Sequence, residues 1–146
     1  MLHQSGGLLS LLYPVPGATI DAMVTATLLS GKRILIAEDN FLIGVDLRAL
    51  IEEGKGSAEI VATNDEALKA LDSSRFDVAV VDATLRDGNS ELLATGLRAR
   101  KVPFVVVSGH AQDELSPDLR SAPFMSKPFQ QRDLLELVGR VMSRAA

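Results

Sequence analysis

From Lys32 onward the chain alternates short apolar runs with stretches in which apolar residues recur at helical spacing. Ile34-Leu35-Ile36-Ala37 is a continuous apolar run ended by acids, the pattern of a strand covered on both faces. Ile43, Leu47, Leu50 and Ile51 then follow a helical stripe, closed by Gly54 and Gly56. Ala58 to Ala62 predicts a second strand, and Asn64 is a candidate cap for a helix whose buried stripe is Ala67, Leu68 and Leu71. Asp77 to Asp82 is the third strand, followed by a loop through Asp87-Gly88-Asn89 and a helix from about Ser90 to Arg100. Pro103 to Val107 predicts a fourth strand. The eighteen residues between Ser108 and Lys127 hold a weak helix broken by Pro117 and a short strand near Pro123 to Met125. Leu134, Leu137, Val138, Val141 and Met142 mark a strong final helix. Five such units predict an α/β fold, a doubly wound five-stranded parallel sheet with helices on both faces.

Residues 1–31 fall outside this alternation and are taken as an N-terminal extension of unknown role, with the folded domain at 32–146. Leu8 to Leu12 and Ala18 to Leu29 are apolar, which raises a signal or membrane reading. No Lys or Arg precedes Lys32, so the positive start of a secretory signal is missing. Pro14, Pro16, Gly17 and Asp21 interrupt the run short of the ~20 apolar residues that a membrane span needs. Both membrane readings are rejected on these grounds. Thr19 to Ser30 predicts a short helix capped by Thr19 and stopped by Gly31. A translation start at Met23 is an open alternative.

Composition narrows the function classes. With 47% hydrophobic and 23% charged residues among 146, the chain has the make-up of one globular domain. A net charge of −4 argues against nucleic-acid binding through phosphate neutralisation. No cysteine is present, which excludes disulfides, cysteine zinc sites and thiol catalysis, and the two histidines, His3 and His110, are far apart. A reducing cytoplasm is the expected compartment.

Doubly wound sheets bind ligands outside the carboxyl ends of their strands. Glu38 and Asp39 follow the first strand, Asp82 ends the third, Ser108 ends the fourth and Lys127 follows the fifth. Each has an ordinary explanation alone: Asp39 with Asn40 as a helix cap, Asp82 or Ser108 as a turn residue, Lys127 as a solvated charge. Together they converge on one rim. Three carboxylates within a few ångströms repel one another unless a cation joins them. Mg2+ is the natural candidate, because it takes oxygen ligands, keeps several waters and often shares a site with phosphate. Lys127 and Ser108 add a positive donor and a hydroxyl for phosphate oxygens. A carboxylate in this setting can attack phosphorus and become an aspartyl phosphate. Neither GxxxxGK[ST] nor GxGxxG occurs, so a nucleotide bound on this chain is not the expected donor.

Ile34-Leu35-Ile36-Ala37-Glu38-Asp39-Asn40, Val80-Val81-Asp82, Val107-Ser108-Gly109 and Lys127-Pro128-Phe129 together resemble the receiver domain of two-component response regulators, over about Lys32 to Arg144. The resemblance implies a flavodoxin-like fold with strand order 2-1-3-4-5. It implies Asp82 as phosphoacceptor, Asp39 as a direct Mg2+ ligand, Glu38 acting mainly through water, and the Thr84 carbonyl completing the metal site. It further implies Lys127 holding the phosphoryl group, Ser108 as switch hydroxyl and Phe124 as the rotating aromatic. Two features depart from the family. The loop after Asp82 lacks the proline common four residues on, and the Ser108–Lys127 interval is short, so helix four is expected to be short or irregular. With Pro103-Phe104 and Ser108-Gly109-His110 the chain is similar to the stand-alone receivers called the FAT GUY group, although Val106 and Val107 replace the Phe and Ala of that motif. His110 is expected to be a loop residue and not a catalyst.

The function implied is a single-domain response regulator that accepts a phosphoryl group from a histidine kinase or a histidine phosphotransfer protein. It would not be an enzyme beyond catalysing its own phosphorylation and dephosphorylation. No effector domain is expected after the last helix, so output is expected through binding an unknown downstream protein or through phosphate relay. Neither nucleic acid nor membrane is an expected partner, and a homodimer is left open. The alternative is a haloacid-dehalogenase-like phosphatase with Asp82 as nucleophile. That motif needs a second acid two residues on, where this chain has Thr84, and its nucleophile follows the first strand. A flavin binder shares the fold class, but an acidic rim repels the flavin phosphate. A degenerate receiver that binds constitutively is the third alternative, and the intact set of rim residues speaks against it.

Overall fold

A computed structural model describes residues 28–145. Strand β1 spans Arg33–Ala37, helix α1 Phe41–Glu53, β2 Ser57–Val61, α2 Asn64–Ser73 and β3 Val78–Asp82. Helix α3 spans Glu91–Ala99, β4 Phe104–Ser108, α4 the single turn Pro117–Arg120, β5 Phe124–Ser126 and α5 Gln131–Ala145. The five strands form one parallel sheet in the order 2-1-3-4-5. This is the predicted doubly wound, flavodoxin-like fold.

Side-chain alternation in the central strands divides the core in two. Ile34, Ile36, Val78, Val80, Val105 and Val107 face α1 and α5, where they meet Leu47, Ile51, Leu134 and Val138. Leu35, Ala37, Ala79, Val81, Phe104 and Val106 face the other way, against Ala67, Leu71, Leu93, Leu97 and Leu119. Strands buried on both faces explain why β1, β3 and β4 read as unbroken apolar runs. The edge strands β2 and β5 are only partly buried and give the weakest sequence signals.

Several local expectations need correction. Asn64 is not the cap of α2. Thr63 is, its hydroxyl accepting from the Glu66 N–H, while Glu66 accepts from the Ala62 N–H. Thr63 and Glu66 carry the capping-box spacing, which frees Asn64 for another role. The loop through Asp87 is a small antiparallel hairpin, Thr84–Leu85 paired with Gly88–Asn89, with Gly88 at φ +128 where a side chain would be strained. Pro117 opens the α4 turn at its first position instead of breaking a helix. Between β4 and β5 the backbone makes only that turn and a 3-10 turn at Gln112–Glu114, as the short interval predicted. The helix predicted over Thr19–Ser30 lies outside the described residues except at its end. There Leu28 and Leu29 are helical and Gly31, at φ +74, turns the chain into β1. Among the described residues no helix is long and apolar enough to cross a membrane.

Candidate functional site

Each rim residue is delivered by the end of a parallel strand. Val81 and Asp82 pair with Val106 and Val107, the Ala83 N–H donates to the Val107 carbonyl, and the Lys127 N–H donates to the Ser108 carbonyl. The exits of β3, β4 and β5 are thereby hydrogen-bonded to one another. Glu38 leaves β1 beside them, its N–H donating to the Val61 carbonyl.

The side chains converge as expected. Carboxylate oxygens of Glu38, Asp39 and Asp82 lie within 4.8 Å of one another. Lys127 Nζ stands 2.6 Å from Asp82 Oδ2 and 3.1 Å from Glu38 Oε1, with its side chain 23% exposed. Glu38 and Asp82 are buried, whereas Asp39 is exposed at the mouth. The remaining oxygens are held by backbone: the Thr84 N–H donates to Asp82 Oδ1 at 3.0 Å and the Asn40 N–H to Glu38 Oε2 at 3.1 Å. Asn40, not Asp39, caps α1 by accepting from the N–H groups of Leu42 and Ile43. Asp39 is left free to face the rim.

Electrostatics show what the cluster lacks. Burial, together with the adjacent Asp82 carboxylate, pushes the Glu38 carboxyl from its ordinary 4.5 to about 7, despite the Asn40 N–H and Lys127. Burial alone would lower the Lys127 ammonium, but its bonds to Asp82 and Glu38 outweigh that and raise it. One ammonium therefore serves three acids, and the cluster is short of positive charge. An oxygen-only donor set with that deficit fits a hard divalent cation that retains part of its water shell.

Ser108 is buried at the end of β4, and its Oγ accepts from the His110 N–H at 2.9 Å. Its hydroxyl is engaged in its own turn. The His110 side chain is exposed, 4.0 Å from Glu114, and does not enter the rim. Phe124 sits below the rim, opposite Val106 on β5, half-buried against the core on the α2–α3 face.

One group escaped the sequence reading. Asn64, 4% exposed, binds three elements at once. Its N–H and Nδ2 donate to Asp87 Oδ1, Nδ2 also donates to the Asn89 carbonyl, and its Oδ1 accepts from the Leu93 N–H. Asp87 accepts from the Asp65 N–H as well. These donors, the Asn64 N–H foremost, hold the Asp87 carboxyl below the usual range. The Thr63-x-x-Glu66 spacing was the signal that could have pointed here, because it makes Asn64 redundant as a cap.

A doubly wound parallel sheet bearing a buried aspartate, two further acids and a lysine at its strand exits defines the class of small α/β signalling domains. The profile of the response regulator receiver domain family matches residues 34–139, and the chain belongs to that family. It is 32% identical over 114 residues to the phyllosphere-induced regulator PhyR of Methylorubrum extorquens, an alignment covering 75% of this chain and 43% of PhyR. The chain spans about half the length of the curated relatives it matches. Among solved structures it is similar to a CheY-like receiver domain protein from Methanospirillum hungatei, at TM-score 0.69 and 28% identity over 80% of this chain and 97% of the other. The receiver domain of sensor histidine kinase PA1611 from Pseudomonas aeruginosa, solved with a magnesium ion coordinated in its active-site cleft, shares the fold at TM-score 0.67 and 21% identity, covering 78% of this chain and 99% of the other. None of these supports the phosphatase alternative, and Asp82 ends the third strand, not the first.

Proposed function

We propose that the domain, placed at residues 32–146 and separate from an extension at 1–31, is a phosphorylation-controlled switch in which Asp82 accepts a phosphoryl group from a phosphohistidine in a kinase or phosphotransfer protein. The observation that carries this reading is the state of the Asp82 carboxylate. Oδ1 is fixed by the Thr84 N–H and Oδ2 is 2.6 Å from Lys127, so the group is oriented before any donor arrives. Asp39 and Asp82, with the Thr84 carbonyl, would hold Mg2+, and Glu38 would act on it through water. Bound Mg2+ would supply charge neutralisation for the incoming phosphoryl oxygens.

The chain's own residues do the rest. An Asp82 oxygen attacks phosphorus, a new O–P bond forms and the P–N bond to the donor imidazole breaks. The bonding electrons return to that nitrogen, leaving a neutral imidazole once its charge is balanced by proton exchange with water. Lys127 exchanges its bond to Asp82 Oδ2 for one to a phosphoryl oxygen, keeping charge compensation through the transfer. Ser108 turns from the His110 N–H toward the phosphoryl group, and Phe124 moves into the space left beneath the rim. Output passes to a downstream protein, and the compartment is the cytoplasm, where phosphohistidine donors act.

The test is incubation with Mg2+ and acetyl phosphate followed by intact mass. One added phosphate, stable in mild acid, released by hydroxylamine and missing from Asp82→Asn, is expected. Equal labelling of Asp82→Asn would move the acceptor elsewhere and defeat the assignment.

A further inference from the structure

We propose that Asn64 is a positioning residue for the phosphoacceptor, acting through Asp87 and the Thr84–Asn89 hairpin; this rests on the reading of Asp82 given above. The hairpin begins two residues after Asp82 and carries the N–H that orients its carboxylate. It is also the stretch that lacks the family's proline, so the backbone restriction supplied by that ring is missing here. The hairpin is held by a set of hydrogen bonds. Asp87 Oδ1 takes both the backbone and side-chain N–H of Asn64, Asp87 Oδ2 takes the Asp65 N–H, and the Asn89 carbonyl takes Asn64 Nδ2.

The same side chain closes the α3 end of the loop. Ser90 stands at the cap position of α3 but makes no cap bond, and its buried Oγ has no partner. Asn64 Oδ1 serves the Leu93 N–H instead. One buried amide thus joins the start of α2, the hairpin and the start of α3. Four polar bonds across chain separations of more than twenty residues leave the hairpin little freedom to swing. The Thr84 N–H is then delivered to Asp82 Oδ1 in a fixed direction, leaving Oδ2 to Lys127. The Thr84 N–H is the direct partner of Asp82, and losing such a partner commonly costs about 10–100-fold in metal affinity or activity. Asn64 acts on it through the hairpin and belongs at or below the low end of that range.

The experiment uses the full chain and three readouts: the Thr84 amide resonance without metal, Mg2+ affinity by titration, and the initial rate of labelling by acetyl phosphate. Asn64→Ala and Asp87→Ala are compared with wild type and with Ile51→Val, a core change on the opposite sheet face. Asp87→Ala matters because Asp87 is exposed, so this variant tests the route even where Asn64→Ala folds poorly. Both clamp variants are expected to move the Thr84 resonance and to weaken Mg2+ binding and slow labelling by up to about tenfold each. Asp87→Asn, which keeps one side-chain oxygen, should recover part of each effect, and Ile51→Val should leave all three alone. A Thr84 resonance at its wild-type position overturns the proposal, as does a shifted resonance with unchanged Mg2+ affinity. Effects no larger than those of Ile51→Val also overturn it. If wild type takes no label, or Asp82→Asn labels equally, the phosphoacceptor reading fails, while the amide and Mg2+ readouts still decide the role of Asn64.

Discussion

Glu38 makes the charge deficit of the rim measurable without any donor. Its carboxyl is moved from 4.5 to about 7 in the native state, chiefly by burial and then by Asp82. Below pH 4.5 the group is protonated in both folded and unfolded chains and stability does not depend on it. As pH rises from there to about 7, the unfolded carboxyl ionises while the native one keeps its proton, so folding loses ground. The full loss corresponds to about 3 kcal/mol, at roughly 1.4 kcal/mol per tenfold, and is complete only above pH ~7. With total stability of ~5–15 kcal/mol that is a large fraction. At a urea slope of about 1.5 kcal/mol per molar it lowers the unfolding midpoint by about 2 M. The other shifted groups stay out of this window. Lys127 is raised above 10.5, so its contribution persists until more alkaline pH, and Asp87 is lowered below 3.8, so its contribution is lost only in acid.

The assay is urea unfolding followed by far-UV circular dichroism in EDTA, from pH 4.5 to 8.5, because the chain has no tryptophan and one tyrosine. Glu38→Gln removes the titration while leaving an oxygen for the Asn40 N–H and leaving Lys127 its bond to Asp82. Wild type should lose stability across the range and Glu38→Gln should be nearly flat, whatever the offset between the two curves. Added Mg2+ should restore wild-type stability at pH 8 and do less at pH 5. Parallel curves for the two proteins would refute the reasoning, since the slope would then come from elsewhere.

Asp39→Ala should weaken Mg2+ binding at least tenfold by titration while leaving the fold intact, because Asp39 is exposed and caps no helix; equal affinity would remove it from the metal site. Ser108→Ala should still be labelled on Asp82, yet hydrogen exchange over Gly109 to Pro123 should no longer respond to beryllofluoride; an equal response in both proteins would break the coupling through Ser108. Gly56→Ala should destabilise by about 1–3 kcal/mol in urea without altering labelling per folded molecule, because its Cβ would stand 2.7 Å from the Leu29 carbonyl oxygen and 2.9 Å from Ile51 Cγ2.

The central sheet was legible because three of its strands are buried on both faces, which gives short unbroken apolar runs such as Val78 to Val81 flanked by acids. Strand ends are less sharply marked: β2, β4 and β5 each lie one residue away from the bounds the sequence predicts. The rim residues were legible for a topological reason: parallel strands put all their exits at one end, so polar residues at four exits must meet. What the sequence withheld was polar satisfaction. The Thr63 cap is local, but what Asn64 then binds depends on where the Asp87 loop and α3 lie, and those contacts are more than twenty residues away. The same holds for Ser108. A serine after a strand reads equally well as a turn residue and as a switch hydroxyl, and in the structure its hydroxyl is engaged in the turn.

Lys127 satisfies Asp82, the His110 N–H is satisfied by Ser108, and Glu38 offsets its burial by taking up a proton near neutral pH. Lys127 is thus held by a partner it must exchange, while Ser108 Oγ accepts from the His110 N–H through a lone pair and keeps its O–H to donate. A phosphoryl group on Asp82 exchanges the single carboxylate charge for about two on the phosphoryl oxygens, and it brings new acceptor oxygens to the point where Lys127 and Ser108 converge. It can take Lys127 from Asp82 and draw the Ser108 O–H, and with it the side chain, away from the His110 N–H through charge-assisted bonds, while a bare cation can relieve the acids but offers Ser108 no acceptor. Mg2+ alone should therefore stabilise the rim and leave Ser108 in its turn, and only the phosphorylated or beryllofluoride form should release the His110 N–H. The His110 amide resonance reports this directly: a shift on Mg2+ alone equal to that with beryllofluoride would mean that the turn responds to charge and not to the new oxygens.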